Sequence, residues 1–103
     1  MSRAVVFTPE AQNDLIDLYD YIADHSSPTR ALGDLNRIEK ACMSLKTLPE
    51  RGTRRDDLRP GLRLLGFERR VMIAFRVSPD SVAILRILNV GRDVELAFPD
   101  EHN

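Results

Sequence analysis

Five residues near the start, RAVVF at 3 to 7, are apolar and rich in β-branching, and the run stops at Thr8-Pro9-Glu10. A threonine cap, a proline in the first helical position and an acid in the first turn mark a strand handing over to a helix. Beyond it Ala11, Leu15, Leu18 and Ile22 recur at spacings of four, three and four, with Tyr19 beside them. That is one face of an amphipathic helix, predicted to end near His25. Ser27-Pro28 repeats the cap-then-proline signal, and Ala31, Leu35, Ile38, Cys42 and Leu45 form a second stripe of the same period. Two helices joined by a short turn make an antiparallel hairpin. Pro49, Gly52, Pro60 and Gly61 then bracket a stretch without periodicity, predicted to be a loop over 49–61.

Three segments rich in strand formers follow: LRLLGF (62–67), RVMIAFRV (70–77) and VAILRILNV (82–90). The turn formers SPDS join the last two as a hairpin. The order strand, helix, helix, strand, strand, strand points to an α+β fold. In it an N-terminal strand joins a three-stranded antiparallel sheet, and the helical hairpin covers one face. At 103 residues the chain reads as one domain over 1–103, with a flexible tail from about 97.

Composition adds little to this picture, because 43% apolar and 30% charged residues are ordinary for a globular domain. No apolar run reaches the roughly 20 residues that span a bilayer, and the N-terminus lacks the apolar region of a signal peptide, so a cytoplasmic protein is expected. A single cysteine, Cys42, permits no internal disulfide, and its place in the second stripe gives it a packing role. Charge changes the picture more. Residues 1–50 carry 5 basic and 8 acidic side chains, residues 51–92 carry 10 and 4, and residues 93–103 carry none and 4. The nets are -3, +6 and -4, and every cation of the middle segment is arginine. Its planar fork suits carboxylate or phosphate, so the partner of this segment is expected to be anionic.

Strand alternation places those arginines. Val71, Ile73, Phe75 and Val77 share one face, the core face, while Arg70, Met72, Ala74 and Arg76 share the other. With Ala83, Leu85 and Ile87 also inward, Arg86 falls outward; with Leu62 and Leu64 inward, Arg63 does too. Arg63, Arg70, Arg76 and Arg86 are thus expected together on the uncovered face, among Met72, Ile84 and Leu88, as a groove for an acidic amphipathic chain. The plainer alternative is a solvated face whose arginine stems cover apolar surface.

Other constellations give weaker signals. Asp17, Asp20 and Asp24 lie away from the apolar stripe, so together with Asp14 they read as a solvated face and not as a metal site. His25 is placed to meet the carbonyls ending the first helix. The loop arginines Arg51, Arg54, Arg55 and Arg59 serve either solubility or partner contact, and Arg92 either meets a target or pairs with Asp93.

The opening VVFTPEAQNDL, the later YIA, the segment LPERGTRRDDLRPGLR, the strand RRVMIAFRV and the ending ILRILNVGRDVE resemble, over about 90 residues, the ParE branch of the RelE/ParE toxin superfamily. The resemblance implies a type II toxin paired with a ParD-like antitoxin. A gyrase poison is implied, with no catalytic residues, metal or cofactor of its own. In the family a ribbon-helix-helix part of the antitoxin binds operator DNA while its C-terminal segment wraps the toxin. Contacts to antitoxin or target are then expected at Arg59, Arg63, Arg70, Arg76, Arg86 and Arg92. The alternative is a RelE-like ribosome-dependent mRNA endoribonuclease. That chemistry needs a general acid and base besides cations, and Asn89 and Phe98 stand where relatives have histidine and tyrosine.

Overall fold

The computed structural model describes residues 3–68 and 71–89. Along them run β1 (Ala4–Phe7), α1 (Pro9–His25), α2 (Pro28–Met43), a 3-10 turn (Ser44–Lys46), β2 (Thr53–Arg54), β3 (Leu62–Phe67), β4 (Val71–Val77) and β5 (Ser81–Asn89). Both helices start as their sequences predict. The Thr8 and Ser27 hydroxyls accept the amides of Ala11 and Arg30, each at 3.1 Å, satisfying donors that a helix start leaves without partners. Ala11, Leu18 and Ile22 of α1 and Ala31, Ile38 and Cys42 of α2 are buried against one face of the sheet, together with Leu45. His25 closes α1 by donating from Nδ1 to the Tyr21 carbonyl at 2.8 Å, its ring stacked on that of Tyr21.

The sheet order is β1-β5-β4-β3-β2. Strands β3, β4 and β5 form an antiparallel meander, and β1 joins parallel to β5, with Val5 opposite Val82 and Phe7 opposite Ile84. The loop expected over 49–61 yields a fifth strand, β2, which places Thr53 opposite Leu64 and Arg54 opposite Arg63. Two residues are too few to show a period, so no pattern announced it. Gly52 makes the approach possible. Its φ is 78°, and a Cβ there would stand 2.3 Å from the Leu64 carbonyl oxygen.

Val71, Ile73 and Phe75 enter the helix-side core as alternation requires, but β5 departs from it. Ala74 lies opposite Arg86 and Phe75 opposite Ile84, so the register passes over Leu85 in a β-bulge. The extra residue shifts parity within the strand. Val82 and Ile84 face the helices before it and Ile87 after it, while Leu85 packs on the other face. Of the expected inward set Ala83, Leu85 and Ile87, only Ile87 holds. Leu62 and Leu64 likewise lie on the far face, where they form a second cluster with Ala74 and Leu88. Leu58, from the loop after β2, packs against that cluster and gives the second face a cover of its own.

At Phe7 the chain leaves the sheet, yet α1 still serves the exposed edge of β5. The Thr8 amide donates to the Ile84 carbonyl at 3.0 Å and the Thr8 hydroxyl to the Leu85 carbonyl at 2.9 Å. The Ile87 amide donates to Asp14 at 2.9 Å. Backbone groups that β1 is too short to reach are thereby satisfied from the helix.

Candidate partner-binding surface

The expected array of arginines on one open face does not form. Residues opposite each other across strands share a face. Arg63 lies opposite Phe75, on the helix side of the sheet, whereas Arg76 lies opposite Leu62, on the far side. Arg76 is exposed, with its aliphatic stem against Gly61. Arg86 leaves the array altogether: at the bulge its Nε and Nη2 donate to the two Asp14 oxygens at 2.7 and 3.0 Å. Its side chain is 20% exposed and that of Asp14 8%, and the carboxylate holds the guanidinium above the ordinary arginine value. Arg59 is half-buried ahead of Pro60, its backbone bonded to Arg55 and Leu62. Arg70 and Arg92 lie outside the described residues.

Asp14 also corrects the reading of the first helix. Asp17, Asp20 and Asp24 are exposed as expected, but Asp14 is buried three residues after Ala11, inside the apolar stripe. Asp34 repeats the pattern three residues after Ala31. It accepts Arg37 at 2.6 Å and lies 3.5 Å from Arg30, while Arg37 reaches Glu68 in the β3–β4 turn through bonds of 3.0 and 3.1 Å. A carboxylate on the apolar face of a helix is the signal that could have exposed both pairs, since a buried charge requires a partner.

Two open cavities stand out among the described residues, one of them beside the helical hairpin. One, of about 440 Å³, has a floor of Leu18, Ile22, Ile38, Phe67 and Val71, with the Asp34, Arg37 and Glu68 network at its rim. The other, of about 670 Å³, lies where the 3-10 turn, β1, β3 and β4 meet. Arg3, Arg51 and Arg63 line it beside Leu48, Pro49 and Val77, with Glu50 the one acidic residue among its lining. Arg63 is the member anticipated from sequence. Arg3 and Arg51 arrive because β1 and the segment after the 3-10 turn converge there, held by the Arg3 amide on the Lys46 carbonyl at 3.0 Å.

Among the described residues each of the three guanidiniums makes one side-chain hydrogen bond. Arg3 Nε donates to the Ser78 carbonyl at 2.8 Å, Arg51 Nη1 to the Ser44 hydroxyl at 2.8 Å, and Arg63 Nη1 to the Arg51 carbonyl at 3.4 Å. No ion pair joins any of them to a carboxylate of the described residues. The nearby loop handles its other charges locally. Asp56 accepts the Gly61 amide and pairs with Arg54, which with a lesser pull from Arg63 holds its carboxyl below the ordinary value, and Arg55 does the same for Asp57. Cys42 is inert packing, its thiol pushed up to about 12 by burial.

A helical hairpin packed on one face of a sheet in which β1 runs parallel beside β5 is an α+β architecture shared with known proteins of one class, the toxins of type II toxin-antitoxin systems. A family model described as the ParE toxin of type II toxin-antitoxin system, parDE, matches residues 5–94. Toxin ParE3 of Caulobacter vibrioides is 33% identical over 85 residues, which is 82% of this chain and 84% of that protein. A solved structure titled as the chromosomal ParDE TA system from P. aeruginosa superposes with a TM-score of 0.76 at 30% identity, covering 86% of this chain and 97% of that one. The chain belongs to the ParE toxin family of type II toxin-antitoxin systems.

Proposed function

We propose that the protein inhibits DNA gyrase by binding it, without covalent chemistry of its own, and is neutralised by a ParD-like antitoxin. Operator DNA is reached only through the ribbon-helix-helix part of that antitoxin, and the work is cytoplasmic. Among the described residues no helix is long and apolar enough to cross a membrane. Family membership over residues 5–94 supports the general reading. The observation that carries the choice between binding and RNA cleavage is the dispersal of the sheet arginines. A ribonuclease would need cations converging on one phosphate together with a general acid and base, and the cavity that does gather Arg3, Arg51 and Arg63 has no histidine or tyrosine among its described lining. Here Arg63 and Arg76 point to opposite faces, and Arg86 is occupied by Asp14. Arg59, Arg63 and Arg76 stay in the proposed contact surface, as do Arg70 and Arg92, which lie outside the described residues, while Arg86 serves it only by shaping the strand. Translating ribosomes, messenger RNA and the purified protein provide the test. Intact message by primer extension is expected; cleavage in the ribosomal A site that disappears in an Arg63→Gln, Arg76→Gln variant would reverse the reading.

A further inference from the structure

We propose that the solvent-side face of the helical hairpin is self-complementary, and that two copies of this chain associate through it as a weak dimer with two-fold symmetry. The inference does not depend on what the protein inhibits.

The sheet fixes which flanks of the two helices meet. Asp14 turns one flank of α1 toward the edge of β5, while Asp34 and Arg37 turn the matching flank of α2 toward Glu68 in the β3–β4 turn, on the other side of the sheet. The opposite flanks therefore face each other. On them, one residue beyond each core position, lie Ile16, Tyr19 and Ala23 of α1 and Leu32, Glu39 and Met43 of α2. Tyr19 and Ala23 are half-buried there, but Ile16, Leu32 and Met43 stay 58, 57 and 42% exposed, spaced along one groove. Gly33 is a second sign. Glycine in the middle of a helix weakens it, yet nothing stands within 4 Å of the place its Cβ would take, so the fold of one copy does not require it. A second helix lying close against α2 does.

Charge selects the occupant. Asp17, Asp20 and Asp24 make the outer wall of α1 acidic, without an ion pair among the described residues, and like charges at these spacings destabilise a helix. Arg30, Arg37 and Lys40 make the outer wall of α2 basic. Arg30 and Arg37 share the buried Asp34, and Arg37 also holds Glu68 through Nε and Nη2, which leaves its Nη1 for a further carboxylate. A uniformly acidic or basic partner would match one wall and oppose the other. A two-fold axis running between the helices and parallel to them lays the acidic α1 of each copy on the basic α2 of its partner, with every helix antiparallel to its neighbours. Counted outward from the turn at 26–27, Asp24 is level with Arg30, Asp17 with Arg37, and Asp20 with the open space at Gly33. Helices of 17 and 16 residues are about 25 Å long and pack roughly 10 Å apart, so the face buries on the order of 1,000 Å² over both copies, the lower limit for a specific contact. Half association is accordingly expected at roughly 10–100 µM.

Sedimentation velocity of the full-length protein from roughly 1 to 300 µM tests this. Wild type is compared with an Ile16→Glu, Leu32→Glu variant, an Asp17→Lys, Asp20→Lys variant, a Gly33→Gln variant and a Leu48→Glu control. Leu48 is 63% exposed but lies away from this face, beside the arginine-lined cavity. The wild-type sedimentation coefficient should rise with concentration toward that of a dimer. Each substitution occurs twice in a two-fold interface, so the three variants should associate at least about tenfold more weakly, while Leu48→Glu matches wild type. Gly33→Gln should melt no lower than wild type, because glutamine favours the helix, so its loss of association cannot be read as misfolding. A single monomeric species across the whole range would overturn the proposal, as would association at wild-type strength in any of the three variants. Monomeric wild type whose gyrase inhibition is lost in those variants would give the face to the target instead, and would overturn it equally.

Discussion

Replacing Asp14 with alanine tests how the arginine of the last strand is used. The carboxylate accepts the Ile87 amide at 2.9 Å and both donors of Arg86 at 2.7 and 3.0 Å, and its side chain is 8% exposed. Alanine leaves the Ile87 amide without an acceptor in a buried place, which costs about 1–3 kcal/mol. It also strands Arg86. Breaking a fully buried pair costs about 3–5 kcal/mol, and the 20% exposure of Arg86 lets water recover part of that. Together the loss should be about 3 kcal/mol, a large share of the roughly 5–15 kcal/mol that holds a domain folded. For a chain of this length it lowers the melting temperature by roughly 12–24 °C. Asp14→Asn keeps one acceptor for Ile87 and should lose about half as much. In a double-mutant cycle with Arg86→Leu, removing the stranded cation should restore about 1–3 kcal/mol. Calorimetry and urea unfolding measure both quantities. A cost for Asp14→Ala no larger than that of the exposed Asp17→Ala, within about 0.5 kcal/mol, would refute the argument that this pair anchors the helix to the bulged strand.

Other outcomes follow from single sites. Gly52→Ala should destabilise by about 2–4 kcal/mol, since φ is 78° and the new Cβ would collide with the Leu64 carbonyl; a urea midpoint equal to wild type would contradict the β2 geometry. Cys42, with its thiol near 12, should react with a disulfide reagent at pH 8 only as fast as the chain unfolds, and fast labelling under native conditions would show that the site is not closed. The Asp56 carboxyl is held below 3.8, first by the Gly61 amide and then by Arg54. Its contribution to stability is therefore present above about pH 4 and lost as pH falls through the folded value. Carbon-detected titration should place Asp56 below the unfolded value, and a midpoint at or above 3.8 would remove that bond from the account.

The helices, their caps and the class of fold were legible because each rests on local signals: Thr8 and Ser27 cap, Pro9 and Pro28 open, and the stripes repeat with the helical period. The meander of β3, β4 and β5 was legible for the same reason. What the pattern concealed came from contacts between distant residues. The bulge at Leu85 changes which face β5 presents, and a period-2 count cannot see an extra residue. That one shift misplaced Ala83 and Leu85. A separate parity error on β3, where both faces are covered, misplaced Leu62 and Arg63. Arg3 and Arg51 lie far apart in sequence and meet only because β1 and the segment after the 3-10 turn close on the same cavity. Asp14 and Asp34 were the clues available in advance, each a carboxylate three residues beyond the alanine that starts an apolar stripe.

Supercoiling of relaxed plasmid by purified gyrase with ATP tests the central claim most directly, with the protein alone and then with a molar excess of its antitoxin. Inhibited supercoiling with accumulated linear plasmid, reversed by the antitoxin, is the predicted result. Supercoiling that proceeds normally at saturating protein would contradict the account.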